Sequence, residues 1–325
     1  MIIAFVFGTV VFGGTAAYIG WAAYAVWHGA SVWPYAAGAL ALVIGVPAAF
    51  AAFYITVAWV FRSERPPTAR IGAWASLRLL WDESRALGRS GPRQALYRRL
   101  IADPAPVPAE LPVLLVHGVL CNAGVWLGLR RYLVRQGIGP VYALTYGPPL
   151  ASIESFAEQV AAKIDAILAV TGARQVAIVG HSMGGLVARD YLRRYGASKV
   201  RVLITLGTPH HGSVHAWLFP GTCLAQIRPG SAWLAELNRD EGSPPPTRMV
   251  SLWSWHDSMV APQTSSRLAG AENVEVVGVG HNAMLADPAT FERVAAELRR
   301  AAGNAGPGGA VAATASGGAQ PVAAD

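Results

Sequence analysis

The first 61 of the chain's 325 residues contain no lysine, arginine, aspartate or glutamate. The whole chain is short of charge: 14% of its residues are charged, against about 25% in ordinary soluble domains. A sequence this apolar, 53% hydrophobic, is not a disordered chain. Cysteine is scarce as well. Two cysteines exclude a disulfide-dense secreted scaffold. The length allows one large domain or two ordinary ones.

The net charge of +7 invites a nucleic-acid reading, which its location argues against. Residues 62–101 carry nine arginines against Glu64, Asp82 and Glu83, a net of +6. The remaining residues, 102–325, are close to neutral. A groove-reading protein places its cations among its folded elements. Here they form a collar beside an uncharged apolar stretch, the pattern of a juxtamembrane segment. No nucleic-acid partner is expected.

The uncharged stretch is long enough to cross a bilayer twice, from about Ile2 to Trp27 and from about Ala36 to Phe61. A short turn, His28 to Pro34, makes the two spans an antiparallel hairpin. Trp21, Trp27, Trp33, Tyr35 and Trp59 sit near the expected ends, where amphipathic rings favour the interface. A cleaved signal peptide would need a basic start and a shorter apolar core. With the arginine collar inside, the expected location is a bacterial inner membrane, with the following domain cytoplasmic. Residues 69–87 read as a helix suited either to an anionic membrane surface or to packing on the main domain.

The expected organisation is therefore a two-span hairpin over 1–61, a basic helix and Pro-rich linker over 62–110, a main domain over 111–301 and an Ala/Gly-rich tail over 302–325. In the main domain, apolar β-branched runs alternate with helical segments. Strands are expected at 113–116, 141–146, 176–179, 200–206, 249–253 and 274–279, and helices at 152–170, 183–195 and 288–300. Continuous apolar strands between helices indicate an α/β fold with a doubly wound, mostly parallel sheet.

Gly180-His181-Ser182-Met183-Gly184 follows a strand and opens a helix, the context that gives a G-x-S-x-G segment meaning as a nucleophile elbow. Serine is a poor nucleophile without a base. His281, just past the last expected strand, is the candidate base, and Asp257, just past the strand before it, is the candidate carboxylate. Asp240 and Glu241 compete for the second role, and His256 for the first. The backbone amides of Val119 and Met183 are the candidate oxyanion hole, with His117 buttressing the first loop. His210, His211 and His215 lack the carboxylate or cysteine partners of a zinc site, so no metal site is expected.

The segments LPVLLVHG, VAIVGHSMGGLVAR, LITLGTPHHGS, WHDSMVAP and VGHNAML, in that order, resemble the bacterial lipase and esterase branch of the α/β-hydrolases. The resemblance covers roughly residues 111–300. It implies ester hydrolysis through an acyl-enzyme and no cofactor, with Ser182 as nucleophile, Asp257 as acid, His281 as base, and the Val119 and Met183 amides as oxyanion hole. It also implies a cap over about 213–247, where Trp217, Leu218 and Phe219 are candidate substrate contacts. The same machinery serves acyltransferases and thioesterases, and a non-catalytic lipid-binding scaffold could keep the fold.

Overall fold

The computed structural model describes residues 2–303, with side chains from residue 10. The expected tail lies, from residue 304 onward, outside the described residues. Two apolar helices come first, α1 (Ile2–Trp27) and α2 (Val32–Val60). Both are long and apolar enough to cross a membrane. They run antiparallel: Phe12 meets Phe50 with ring centroids 5.6 Å apart, and Trp21 meets Tyr35 at 5.0 Å.

A longer helix than expected follows, α3 (Ala73–Ala95). It begins later than residue 69 because Pro66 and Pro67 hold the chain extended or in a short 3-10 turn. It continues through Gly88, Gly91 and Pro92, past the expected end. Trp74 remains 83% exposed, while Leu79, Glu83 and Ser84 are buried. Of the two sequence expectations for this segment, packing on the main domain is therefore realised along one face. A short turn, α4 (Tyr97–Leu100), closes the connection.

The main domain alternates strands and helices: β1 (Val113–Val116), α5 (Leu127–Arg135), β2 (Val141–Leu144), α6 (Ile153–Thr171), β3 (Val176–His181), α7 (Met183–Tyr195) and β4 (Val200–Leu206). Two short helices, α8 (Thr222–Ile227) and α9 (Ala232–Leu237), occupy the expected cap. Then come β5 (Arg248–Trp253), β6 (Glu272–Glu275) and α10 (Pro288–Ala301). The six strands form one parallel sheet in the order β2-β1-β3-β4-β5-β6.

Alternation within each strand feeds two cores. Leu114, Val116, Ile178 and Leu203 join Phe156, Ile164 and Leu186 of α6 and α7 on one face. Val113, Leu115, Val179 and Ile204 join Leu129, Val294 and Leu298 of α5 and α10 on the other. Covered on both faces, these strands read as unbroken apolar runs. β6 departs from expectation: it pairs at Glu272–Glu275, two residues early, and is mostly exposed. It is the sheet edge, and Val276 and Val279 reach the core beyond the strand rather than within it. The strand order reverses between β1 and β3, and the crevice beyond the strand ends at such a reversal is where ligands bind.

Candidate active site

The strand-to-helix turn after β3 carries Ser182 at φ 56°, ψ −130°. A non-glycine residue is held in this region only when its surroundings compel it. Glycines make the turn possible. A Cβ on Gly180 would stand 2.7 Å from the Gly185 amide nitrogen. A Cβ on Gly184 would run into the carbonyl oxygens of Val116 and His117. The helix thus packs directly on the end of β1, and its first amides, Met183 among them, have no carbonyl within the helix to donate to.

The loop after β1 passes beside the serine. A Cβ on Gly118 would lie 3.3 Å from Ser182 Oγ, so the Gly118–Val119 backbone borders that hydroxyl. His117 supports this loop. Its ring stacks on Tyr146 at 4.0 Å, its Nδ1 lies 2.8 Å from the Gly118 carbonyl, and the Tyr146 hydroxyl donates to the His117 carbonyl. Burial lowers the His117 pKa to about 4, so the ring is neutral near pH 7.

His281 and Asp257 meet from the loops after β6 and β5. His281 Nδ1 donates to Asp257 Oδ2 at 2.9 Å, and both residues are buried. The other carboxylate oxygen, Oδ1, accepts the amides of Met259 at 2.8 Å and Val260 at 2.7 Å. His181, the residue before the serine, donates from Nε2 to the His281 carbonyl at 3.1 Å. Burial alone would lower the His281 pKa. The Asp257 charge and hydrogen bond, with the Glu83 charge beyond, outweigh it and raise the value above the ordinary 6.5. An imidazole whose Nδ1 carries the proton given to Asp257 has Nε2 as its basic nitrogen, and the carboxylate helps it keep a proton taken there.

Ser182 and His281 border one cavity of about 410 Å³, which Val119 and Phe219 also line. Trp217 and Leu218 do not line it. Trp217 is half-exposed, with the Arg228 guanidinium 4.5 Å above its ring. Cys121 lines the cavity too, and burial pushes its thiol up to about 12, which keeps it protonated.

The alternative residues lie elsewhere. Glu241 pairs with His211 at 2.7 Å, and its Oε1 accepts the Ala269 amide. Asp240 lines a separate hollow beside the Pro244–Pro246 loop. His256 is buried, and burial with nearby Arg65 lowers its pKa to about 4. His210 lies among Thr205 and Ser251, whereas His215 donates to the Tyr54 carbonyl at 3.3 Å, so the three histidines of this region diverge.

Sequence reasoning missed Glu83. This fully buried carboxylate of α3 accepts the Ser258 hydroxyl at 2.7 Å and the Asn282 amide at 3.0 Å. Burial raises its pKa; those hydrogen bonds and the His281 charge oppose the shift. One signal for it existed. Leu79, Glu83 and Leu87 recur every fourth residue and share a helix face. Gln94, farther along α3, accepts the Asn122 amide at 3.2 Å. The helix therefore braces both the His281 loop and the loop after β1.

Residues 144–228 match the family model of the PGAP1-like alpha/beta domain. A triacylglycerol lipase of Burkholderia plantarii is 33% identical over 135 residues, 36% of this chain and 36% of that protein. One of Pseudarthrobacter phenanthrenivorans is 34% identical over 117 residues, 32% and 35% of the two chains. The chain thus spans about a third of the length of the curated relatives it matches. Among solved structures, the mature Bacillus licheniformis lipase BlEst2 superposes with a TM-score of 0.53 at 20% identity, over 61% of this chain and 96% of that one. Aspergillus fumigatus lipase B gives 0.55 at 23% identity, over 62% and 56%. The parallel sheet, the serine on its strand-to-helix turn and the superpositions show that the chain has the α/β-hydrolase fold, and part of its sequence is similar to triacylglycerol lipases.

Proposed function

We propose that the chain is a membrane-anchored serine hydrolase that cleaves carboxylic esters of lipids through an acyl-enzyme. One observation carries the reading: Ser182, on a strained turn, borders the same cavity as a buried imidazole hydrogen-bonded to a buried carboxylate. The partial likeness to triacylglycerol lipases supports the substrate class.

In this mechanism Ser182 Oγ attacks the ester carbonyl carbon and passes its proton to His281 Nε2. The carbonyl oxygen becomes an oxyanion, which the amides of Val119 and Met183 receive. The carbon–oxygen bond to the alcohol breaks, and the alcohol leaves with the proton from His281. Water then attacks the acyl carbon, gives a proton to His281, and Ser182 departs with it, releasing the carboxylic acid. Asp257 keeps Nδ1 protonated throughout and stabilises the imidazolium.

The hairpin of α1 and α2 is the anchor in this reading, and the arginine collar after it puts the hydrolase domain on the cytoplasmic side of the membrane. Ser182→Ala is the direct test, with p-nitrophenyl acyl esters as substrates. Hydrolysis by the purified full-length protein is expected to vanish while thermal unfolding stays the same. Undiminished turnover would overturn the assignment. A reporter fused after residue 65 tests the sidedness.

A further inference from the structure

The wall of the cavity opposite the hydrolase loops is not made by the hydrolase domain. Phe12 of α1 and Phe50, Phe53 and Tyr54 of α2 line it, together with Leu87 of α3. The apolar hairpin thus supplies four aromatic side chains to the space in front of Ser182.

The fit between the two parts is specific. Ala51 and Ala58 are buried, and with Tyr54 they recur at helical spacing on one face of α2. Small side chains there let the helix approach the domain closely. His215 donates to the Tyr54 carbonyl, and Gln263 Nε2 donates to the Ala58 carbonyl at 3.3 Å. Three residues past α2, the Ser63 amide donates to Gln263 Oε1 at 3.0 Å.

Length sets the height of this seam. The 29 residues of α2 rise about 43 Å, whereas the hydrocarbon core is about 30 Å thick. Some nine residues at one end must therefore stand clear of the hydrocarbon. The carboxyl-terminal end is the one docked on the domain, so Phe50, Phe53 and Tyr54 fall at the hydrocarbon boundary. The cavity opens beside them, since two of its lining residues, Phe12 and Leu120, are each 63% exposed.

We infer that the hairpin forms part of the substrate pocket, and that the substrate is a bilayer-resident acyl lipid entering sideways from the membrane. Its ester carbonyl reaches Ser182 while its acyl chain lies along Phe50 and Phe53. A chain taking this route never passes through water, where each methylene would be exposed at a penalty. The inference rests on the reading of Ser182 as nucleophile and of the hairpin as embedded.

The test uses the full-length protein in vesicles of phosphatidylcholine and phosphatidylglycerol. The probe is a fluorophosphonate with a 16-carbon chain that carries its diazirine in the first third of the chain, beside the residues proposed to line the pocket, and it bonds to Ser182 Oγ with loss of fluoride. After irradiation and digestion, cross-links are expected on the 50–54 segment or near Phe12. An adduct on Ser182 whose cross-links fall only on the 217–237 cap, or only on lipid, overturns the inference and leaves the hydrolase reading standing. Absence of any Ser182 adduct overturns both. A second arm compares turnover of 16-carbon and 4-carbon esters. The ratio is expected to fall at least tenfold in Phe50→Ala/Phe53→Ala and to stay within twofold in Val43→Ala, on the outward face of α2. A ratio unchanged in the double variant also overturns it.

Discussion

The Glu83 carboxylate accepts the Asn282 amide through both oxygens, at 3.0 and 3.1 Å. A residue nearly two hundred positions upstream thereby fixes the loop that carries His281. The same carboxylate raises the affinity of the His281 ring for a proton, together with the closer Asp257. Position and charge can be separated by substitution.

In Glu83→Gln the charge goes and an acceptor oxygen stays. In the proposed mechanism His281 must be neutral to accept the serine proton, so activity is expected to fall as the pH drops through its pKa. The raised pKa sets that limb above 6.5 in the parent protein. Without the Glu83 charge the limb is expected to move to lower pH, as read from kcat/KM between pH 5 and 9. Glu83→Ala strands two buried donors and should destabilise the fold by about 1–3 kcal/mol for each. A pH profile identical to the parent's would mean that Glu83 acts through structure alone.

Asp257→Asn is expected to lower kcat by about 10³–10⁴-fold with little change in stability. Oδ1 receives the Met259 and Val260 amides, so the asparagine oxygen stays with them. Its NH2 then faces His281 Nδ1, which must become an acceptor, and the ring proton moves to Nε2. A ring protonated there cannot take the proton of Ser182. Steady-state kinetics with a soluble acyl ester would show the loss, and a decrease of less than tenfold would contradict this role.

Gly207 has φ +52°, and a Cβ there would stand 2.8 Å from Asp257 Oδ2 and 3.0 Å from His281 Nδ1. Gly207→Ala combines left-handed backbone strain with a wedge beside the ion pair. The expected destabilisation is about 1–3 kcal/mol, seen in thermal unfolding. Fluorophosphonate labelling of Ser182 should slow in parallel, and labelling at the parent rate would count against the geometry.

Gln263 is fully buried and joins three segments: it accepts the Ser63 amide and donates to the carbonyls of Ala58 and Asp257. Gln263→Leu removes all three bonds. The stranded Ser63 amide alone should cost about 1–3 kcal/mol. Local loosening should speed trypsin cleavage after Arg62 in the detergent-solubilised protein. Cleavage at the parent rate would show that α2 is held to the domain by other contacts.

Much of the arrangement was legible because local rules applied. The β3–α7 turn announced itself through glycines at 180 and 184, and the ends of apolar runs located Ser182 and Asp257 without any knowledge of distance. Two things lay beyond such rules. Glu83 sits among arginines in a segment that reads as a linker, and nothing nearby in sequence says what its helix face meets. Phe50, Phe53 and Tyr54 were hidden in a run that already had a sufficient explanation as a membrane span. Trp217 and Leu218 fail in the opposite sense. They are apolar and in the cap, but a 3-10 turn over Val214–Trp217 sets them off the cavity while Phe219 borders it. Composition identifies which residues can line a pocket, and turn geometry selects among them.

The three-residue step from the end of α2 to Ser63 leaves the hydrolase domain almost no slack. With the hairpin in a bilayer, the enzyme neither leaves the surface nor turns its mouth away from it. Its encounters are then governed by lateral diffusion and by substrate per unit area. Bulk molarity stops being the relevant variable: saturation should follow the mole fraction of substrate lipid in the vesicle, and diluting the vesicles at fixed composition should leave the rate per enzyme unchanged.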